Sequence, residues 1–197
     1  MGLYAGFHVD MMTYMHEVIP ALACVQRAHS GLADEGGPMT DMAKLILQSS
    51  LGTELSEEQA AVLGGLMDLQ HLKDGEYLIS EGAADDTLHV LMEGKIEVVK
   101  NAGGNDEASL AVLRDGDLAG ELSFVDGEPH TVGLRALCDS QVLSLKLEAF
   151  EGIVNDHAQL AYQVMRAVAR SAHKIVHRMN YQFIELNNYI FKQHGRY

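Results

Sequence analysis

Between Leu69 and Leu147 glycine interrupts the chain at positions 75, 82, 94, 103, 104, 116, 120, 127 and 133. The runs it leaves, among them YLIS, TLHVLM, KIEVV, SLAVL and QVLSLKL, are rich in Val, Leu and Ile, and groups such as DG, EG and NAGGND bound several of them. Runs this short, closed by turn residues, predict a succession of short antiparallel strands, and hence a roll or barrel. One stretch breaks the pattern: GELSFVDGEP, from Gly120 to Pro129, reads as a short helical turn inside the β region.

The flanks are helical. Gly31, Gly36, Gly37 and Pro38 mark a break between two helical pieces, and Ser56 with Gln59 three residues on has the form of a capping box. After Leu160, apolar residues recur at Val164, Val168, Ala172, Ile175, Met179, Phe183, Leu186 and Ile190, the spacing of one long amphipathic helix. At about 30 residues it would run about 45 Å, longer than a small roll needs for its own cover. Pairing with its copy in a homodimer is therefore expected, the alternative being a helix folded back on its own domain. The expected class is α+β: an N-terminal helical segment over 1–66, an antiparallel β-roll (a double-stranded β-helix, jelly-roll-like) over 67–150, and C-terminal helices over 151–197.

An apolar fraction of 47% can build a core for this length, so the net charge of −14 bears on partners rather than on folding. Such a surface repels nucleic acid and anionic membranes unless a local basic patch overrides it. His8, Asp10, His16 and Glu17 interrupt the first residues as no export signal or spanning helix would allow, and Cys24 and Cys138 form neither a disulfide framework nor a metal knuckle. The expectation is a cytoplasmic protein without membrane contact of its own.

The order Asp74-Gly75, Glu81-Gly82, Glu93-Gly94, Asp115-Gly116-Asp117, Gly120-Glu121-Leu122-Ser123 resembles the cyclic nucleotide-binding domain family over about Leu69 to Phe150. That resemblance implies an eight-stranded roll, a phosphate-binding cassette beginning at Gly120, and a long following helix that dimerises the protein and covers the ligand. The residues make chemical sense of it. A short helix starting near Gly120 presents unpaired N–H groups to an anion, and Gly120 permits close backbone approach. Glu121 suits such a place if its carboxylate accepts from hydroxyls, and the resemblance assigns it the ribose 2′-hydroxyl; alternatively it is a favourable acid in a first helical turn. The implied ligand set is Gly120, Glu121, Leu122, Ser123, His130 and Thr131, the implied ligand cAMP or cGMP, and no other cofactor is called for.

The sequence departs from the family at the residue after the proline. Where the pattern has P-R-S/T-A, a forked cation for the cyclic phosphate, this chain has Pro129-His130-Thr131. Losing a charge-assisted bond to phosphate costs about 1.5–3 kcal/mol, roughly ten- to more than a hundredfold in affinity. Two outcomes stay open: a nucleotide pocket helped by protonated His130, or a pocket converted to another ligand or to none. Arg135, five residues on, falls on the opposite face of a regular strand.

Other features carry less. His173 and His177 share a helix face at i, i+4 but lack a third ligand, and His8 and His16 sit in a Met-rich segment (Met11, Met12, Met15) that reads as a packed helix. His71 and His89 fall inside the β region as packing residues. Arg166, Arg170, Lys174 and Arg178 make a basic stripe, either a solvated face or a contact for an acidic partner. In transcription regulators of the resembling family a helix-turn-helix domain follows the long helix; residues 187–197 are too few for one, so this chain alone is not expected to bind DNA. No nucleophile, Walker or zinc-protease motif appears, and the chain is expected not to be an enzyme. The function reading is a regulatory ligand-sensing module. Its rivals are a ligand-independent dimeric assembly protein that acts through a protein partner, and a haem or metal sensor on the same fold.

Overall fold

The computed structural model describes residues 38–101 and 107–194. Two helices lead in: α1 (Pro38–Gln48), with proline at the first helical position where its missing N–H costs nothing, and α2 (Glu57–Gly64), joined through a 3-10 turn (Gly52–Glu54). The capping box at α2 is formed. The Gln59 amide donates to Ser56 Oγ at 3.2 Å, and the Ser56 amide donates to Gln59 Oε1 at 2.9 Å.

Eight strands follow: β1 (Met67–Leu72), β2 (Tyr77–Ile79), β3 (Thr87–Glu93), β4 (Ile96–Asn101), β5 (Glu107–Leu113), β6 (Leu118–Ala119), β7 (Gly133–Ala136) and β8 (Ser140–Lys146). They form two four-stranded sheets, ordered β1-β8-β3-β6 and β2-β7-β4-β5, and every pairing is antiparallel. The glycines that punctuate the sequence at 75, 82, 94, 116, 120 and 127 all take positive φ. A single helical turn and a half, α3 (Glu121–Asp126), interrupts the β region where GELSFVDGEP predicted it. The chain ends in α4 (Leu147–Ile153) and the 37-residue α5 (Ala158–His194). The fold is α+β, an antiparallel roll with helices before it and one long helix after it.

Strand alternation divides the core in two. Leu88 and Val90 of β3 and Leu143 and Leu145 of β8 pack outward with Phe124, Phe150, Val164 and Val168 into a cluster shared with the helices. Their neighbours Leu91 and Val142 face the other way, into the roll, with Ile79, Ile96, Leu113, Ala119 and Leu134. Both central strands are thus buried on two faces, which is why β3 reads as a nearly continuous apolar run instead of an alternating one.

The first third of α5 belongs to this core. Leu160, Ala161, Val164, Ala167 and Val168 are buried, whereas Val176, Met179, Phe183, Leu186 and Ile190 are exposed. The basic stripe divides in the same way. Arg166 (2.7 Å) and Arg170 both pair with Glu54 of the 3-10 turn, while Lys174 and Arg178 lie further along the exposed part. Half the stripe is therefore half-exposed and paired with the chain's own turn. No helix among the described residues is long and apolar enough to cross a membrane. Cys138 lies between β7 and β8. Cys24, His8, His16 and Met11, Met12 and Met15 lie outside the described residues.

Candidate functional site

The two-residue strand β6 ends at Gly120, which caps α3 in the left-handed region at φ 76°. A Cβ there would sit 2.5 Å from the Thr87 carbonyl oxygen, 3.3 Å from His89 Cδ2 and 3.7 Å from His130 Cε1. Conformation and space both demand glycine, and the backbone of the cassette is pressed against β3.

Glu121 follows as the first residue of α3 and is 4% exposed. Its Oε1 accepts a 3.0 Å hydrogen bond from the Ser171 hydroxyl of α5, fifty residues away. Burial pushes the Glu121 carboxyl above its ordinary value, opposed by its own backbone amide, by the Ser171 hydroxyl and by the charge of Arg178. The carboxylate that the resemblance assigns to a sugar hydroxyl is thus bound to a hydroxyl of the long helix. Leu122, by contrast, is exposed.

His130 is buried, and its Nδ1 lies 3.2 Å from Ser123 Oγ of α3, so two of the expected residues meet side chain to side chain. Its backbone is clasped by the β2–β3 loop: the Gly82 amide donates to the His130 carbonyl at 2.7 Å and the His130 amide to the Ala83 carbonyl at 2.9 Å. Thr131 is exposed, and its carbonyl accepts from Lys100 Nζ at 2.5 Å; the same ammonium pairs with Glu81 at 2.6 Å. His130 precedes β7 and shares no strand with Arg135, which lies on the face of β7 opposite the buried Leu134 and is committed to Glu97 at 2.9 Å and Glu107 at 2.8 Å, so it does not replace the missing arginine.

His89 was read as a packing residue, and the fold gives it a different setting. It is 3% exposed and shares the inward face of β3 with Leu91; its Nδ1 lies 2.9 Å from Ser144 Oγ of β8, and its Nε2 is 3.8 Å from the Asp85 carboxylate. The facing imidazole holds the Asp85 carboxyl well below the usual carboxylate range, more strongly than partial burial raises it, with Thr87 contributing further hydrogen bonds. The polar end of the roll interior therefore collects His89, His130, Ser123 and Ser144 around Gly120. His71 is exposed on β1. The His173 and His177 rings lie 6.0 Å apart between centroids and tilted by 42° on the exposed helix, and no group of three or more metal-ligating side chains converges among the described residues.

Fold and site define a β-roll domain with a helical cassette set into it and a long helix laid against the cassette. The chain belongs to the cyclic nucleotide-binding domain family. The family's model matches residues 69–157, and the N-terminal domain of a transcriptional regulator from Streptomyces coelicolor is 32% identical, with 66% of this chain and 94% of that one covered and a TM-score of 0.59. A cyclic nucleotide-binding domain from Methylobacillus flagellatus shares the fold at 19% identity and a TM-score of 0.65, over 76% of this chain and 83% of the other. A CRP-like cAMP-activated global transcriptional regulator of Mycobacterium tuberculosis is 26% identical over 96 residues, 49% of this chain and 43% of that protein. The chain thus spans less than half the length of that relative.

Proposed function

We propose that the chain is a regulatory, non-catalytic module that takes a cyclic nucleotide in the polar end of the roll and reports occupancy through α5. Gly120, Ser123, His130 and Thr131 receive the phosphate, the α3 backbone supplies N–H donors there, and Glu121 accepts from a sugar hydroxyl. Leu122 contributes main chain alone. The observation that carries the reading is the bond from Ser171 to the buried Glu121. A ligand hydroxyl on Glu121 competes with Ser171, so ligand and helix address one carboxylate. Occupancy can then shift α5 by as much as the ligand's affinity differs between the two helix positions.

Output runs through the exposed part of α5. Val176, Met179, Phe183, Leu186 and Ile190 follow a three-four repeat, the seam of a two-stranded coiled coil, which supports a homodimer of this chain. Replacing Phe183 by Glu should convert a dimer to a monomer in light scattering; a wild-type monomer would remove this part of the reading.

Calorimetric titration with cAMP and cGMP at pH 6 and pH 8 tests the ligand. Binding that weakens at the higher pH, and that Glu121→Ala abolishes, is the expected result. A second reading is kept by His130 standing where the family pattern has arginine: a dimeric assembly protein indifferent to ligand. No heat with either nucleotide at either pH would put that reading first.

A further inference from the structure

From Val176 to Phe191, α5 is apolar over more of its surface than one partner helix covers. The seam already described, Val176, Met179, Phe183, Leu186 and Ile190, occupies one face. At about 100° per residue, Tyr181, Ile184 and Phe191 fall about 130° round from it on a second face. All three are more than half exposed. His177 joins that face, its ring edge-on to Tyr181 at 4.9 Å between centroids. Asn180 and Asn187 lie between the two faces. The remaining side holds Arg178 and Glu185, the only Lys, Arg, Asp or Glu of the stretch.

A two-stranded coiled coil uses two apolar positions in seven and flanks them with charges, whereas a helix facing the core of a bundle is apolar at three or more. The heptad 184–190 exposes four, Ile184, Leu186, Tyr189 and Ile190. Area points the same way. The five seam residues, each about half exposed, offer about 100 Å² apiece, so a pair of helices would bury about 1,000 Å² through them. That falls short of the roughly 1,600 Å² of a standard stable interface. We infer that two α5 dimers pack together through the second face, so that four copies of the chain close on a four-helix bundle with Asn180 and Asn187 turned toward its axis. This rests on the homodimer proposed above and extends it. A lipid surface suits the second face less well: interfacial helices draw on an excess of Lys and Arg, and here Arg178 is matched by Glu185 on a chain of net charge −14.

The test is the mass of the full chain by light scattering across a dilution series, comparing wild type with Ile184→Glu, Tyr181→Lys and Phe183→Glu. Ile184, Tyr181 and Phe183 are exposed, so the variants should keep the fold, which circular dichroism checks. Wild type should reach four times the chain mass of 21.5 kDa. Ile184→Glu and Tyr181→Lys, on the second face alone, should each halve that mass, and Phe183→Glu, in the first seam, should reduce it to a single chain. A wild type of twice the chain mass that Ile184→Glu leaves unchanged overturns the second face while the homodimer stands. A fourfold mass that both second-face variants leave intact, or second-face variants that fall directly to single chains, also overturns it, because the two faces would then not be separate. A wild type of single chain mass at every concentration removes the homodimer and this inference together.

Discussion

Replacing Gly120 by alanine tests whether the cassette is pressed against β3 as tightly as described. Two costs combine. A left-handed φ of 76° costs a residue with a Cβ about 1–2 kcal/mol. The new methyl would also stand 2.5 Å from the Thr87 carbonyl oxygen, a backbone atom of a buried strand that cannot swing aside, and such overpacking costs about 1–3 kcal/mol. The sum is a loss of about 2–5 kcal/mol. Gly127, at the other end of α3, is the internal control: its φ is 69°, but nothing lies within 4 Å of a Cβ built there, so alanine pays the conformational part alone. Asparagine sharpens the comparison. It tolerates the left-handed region, so Gly127→Asn should be nearly neutral while Gly120→Asn remains severely destabilised. Urea unfolding followed by circular dichroism reads the difference; with a slope of about 1–3 kcal/mol per molar urea, the Gly120 variants should lose about 1 M or more in midpoint. Equal midpoints for Gly120→Asn and Gly127→Asn would refute the contact with Thr87.

Three further outcomes follow from the site and its supports. Because burial raises the Glu121 carboxyl above 4.5, the folded chain holds that proton more tightly than the unfolded chain, and stability falls as pH rises from 4.5 through the folded value; Glu121→Gln, which still accepts from Ser171, should melt higher than wild type at pH 7, with the gap closing below pH 4.5. Asp85 has the opposite sign: its depressed carboxyl contributes stability present above 3.8 and lost as pH falls through the folded value, so Asp85→Asn should flatten the acid limb of a melting-temperature profile below pH 3.8. Glu54→Gln should cost about 1 kcal/mol at low salt, measured by urea unfolding, and less in about 1 M salt, because Arg166 and Arg170 lose a half-exposed partner.

What the sequence disclosed depended on how local the signal was. The turn-bounded runs, the capping box at Ser56 and the helical break at Gly120 are short-range patterns, and each was legible. Strands β1 and β6 were not singled out: MDLQHL is exposed at four of its six positions, and Leu118–Ala119 is too short to show a period. Strand parity was counted from His130, which lies before β7, and Arg135 is turned from the site by its own place opposite Leu134. Parity could not single out His89, because β3 is buried on both faces and a histidine inside such a run looks like packing. Only the pairing of β3 with β8 and the return of the chain after α3 bring its ring beside Gly120. Ser171 left no sequence signal either. Its meeting with Glu121 depends on how α5 lies over α3, a long-range matter that no spacing within the helix encodes.

The division of α5 into a packed third and an uncovered remainder makes the helix a lever with its fulcrum at the site. From Ser171 to Ile190 the helix rises about 28 Å at 1.5 Å per residue. A tilt of about 10° at Ser171 would carry Ile190 sideways by about 5 Å. A small change of helix direction at Ser171 thus reaches Phe183 and Ile190 as a shift of several ångström.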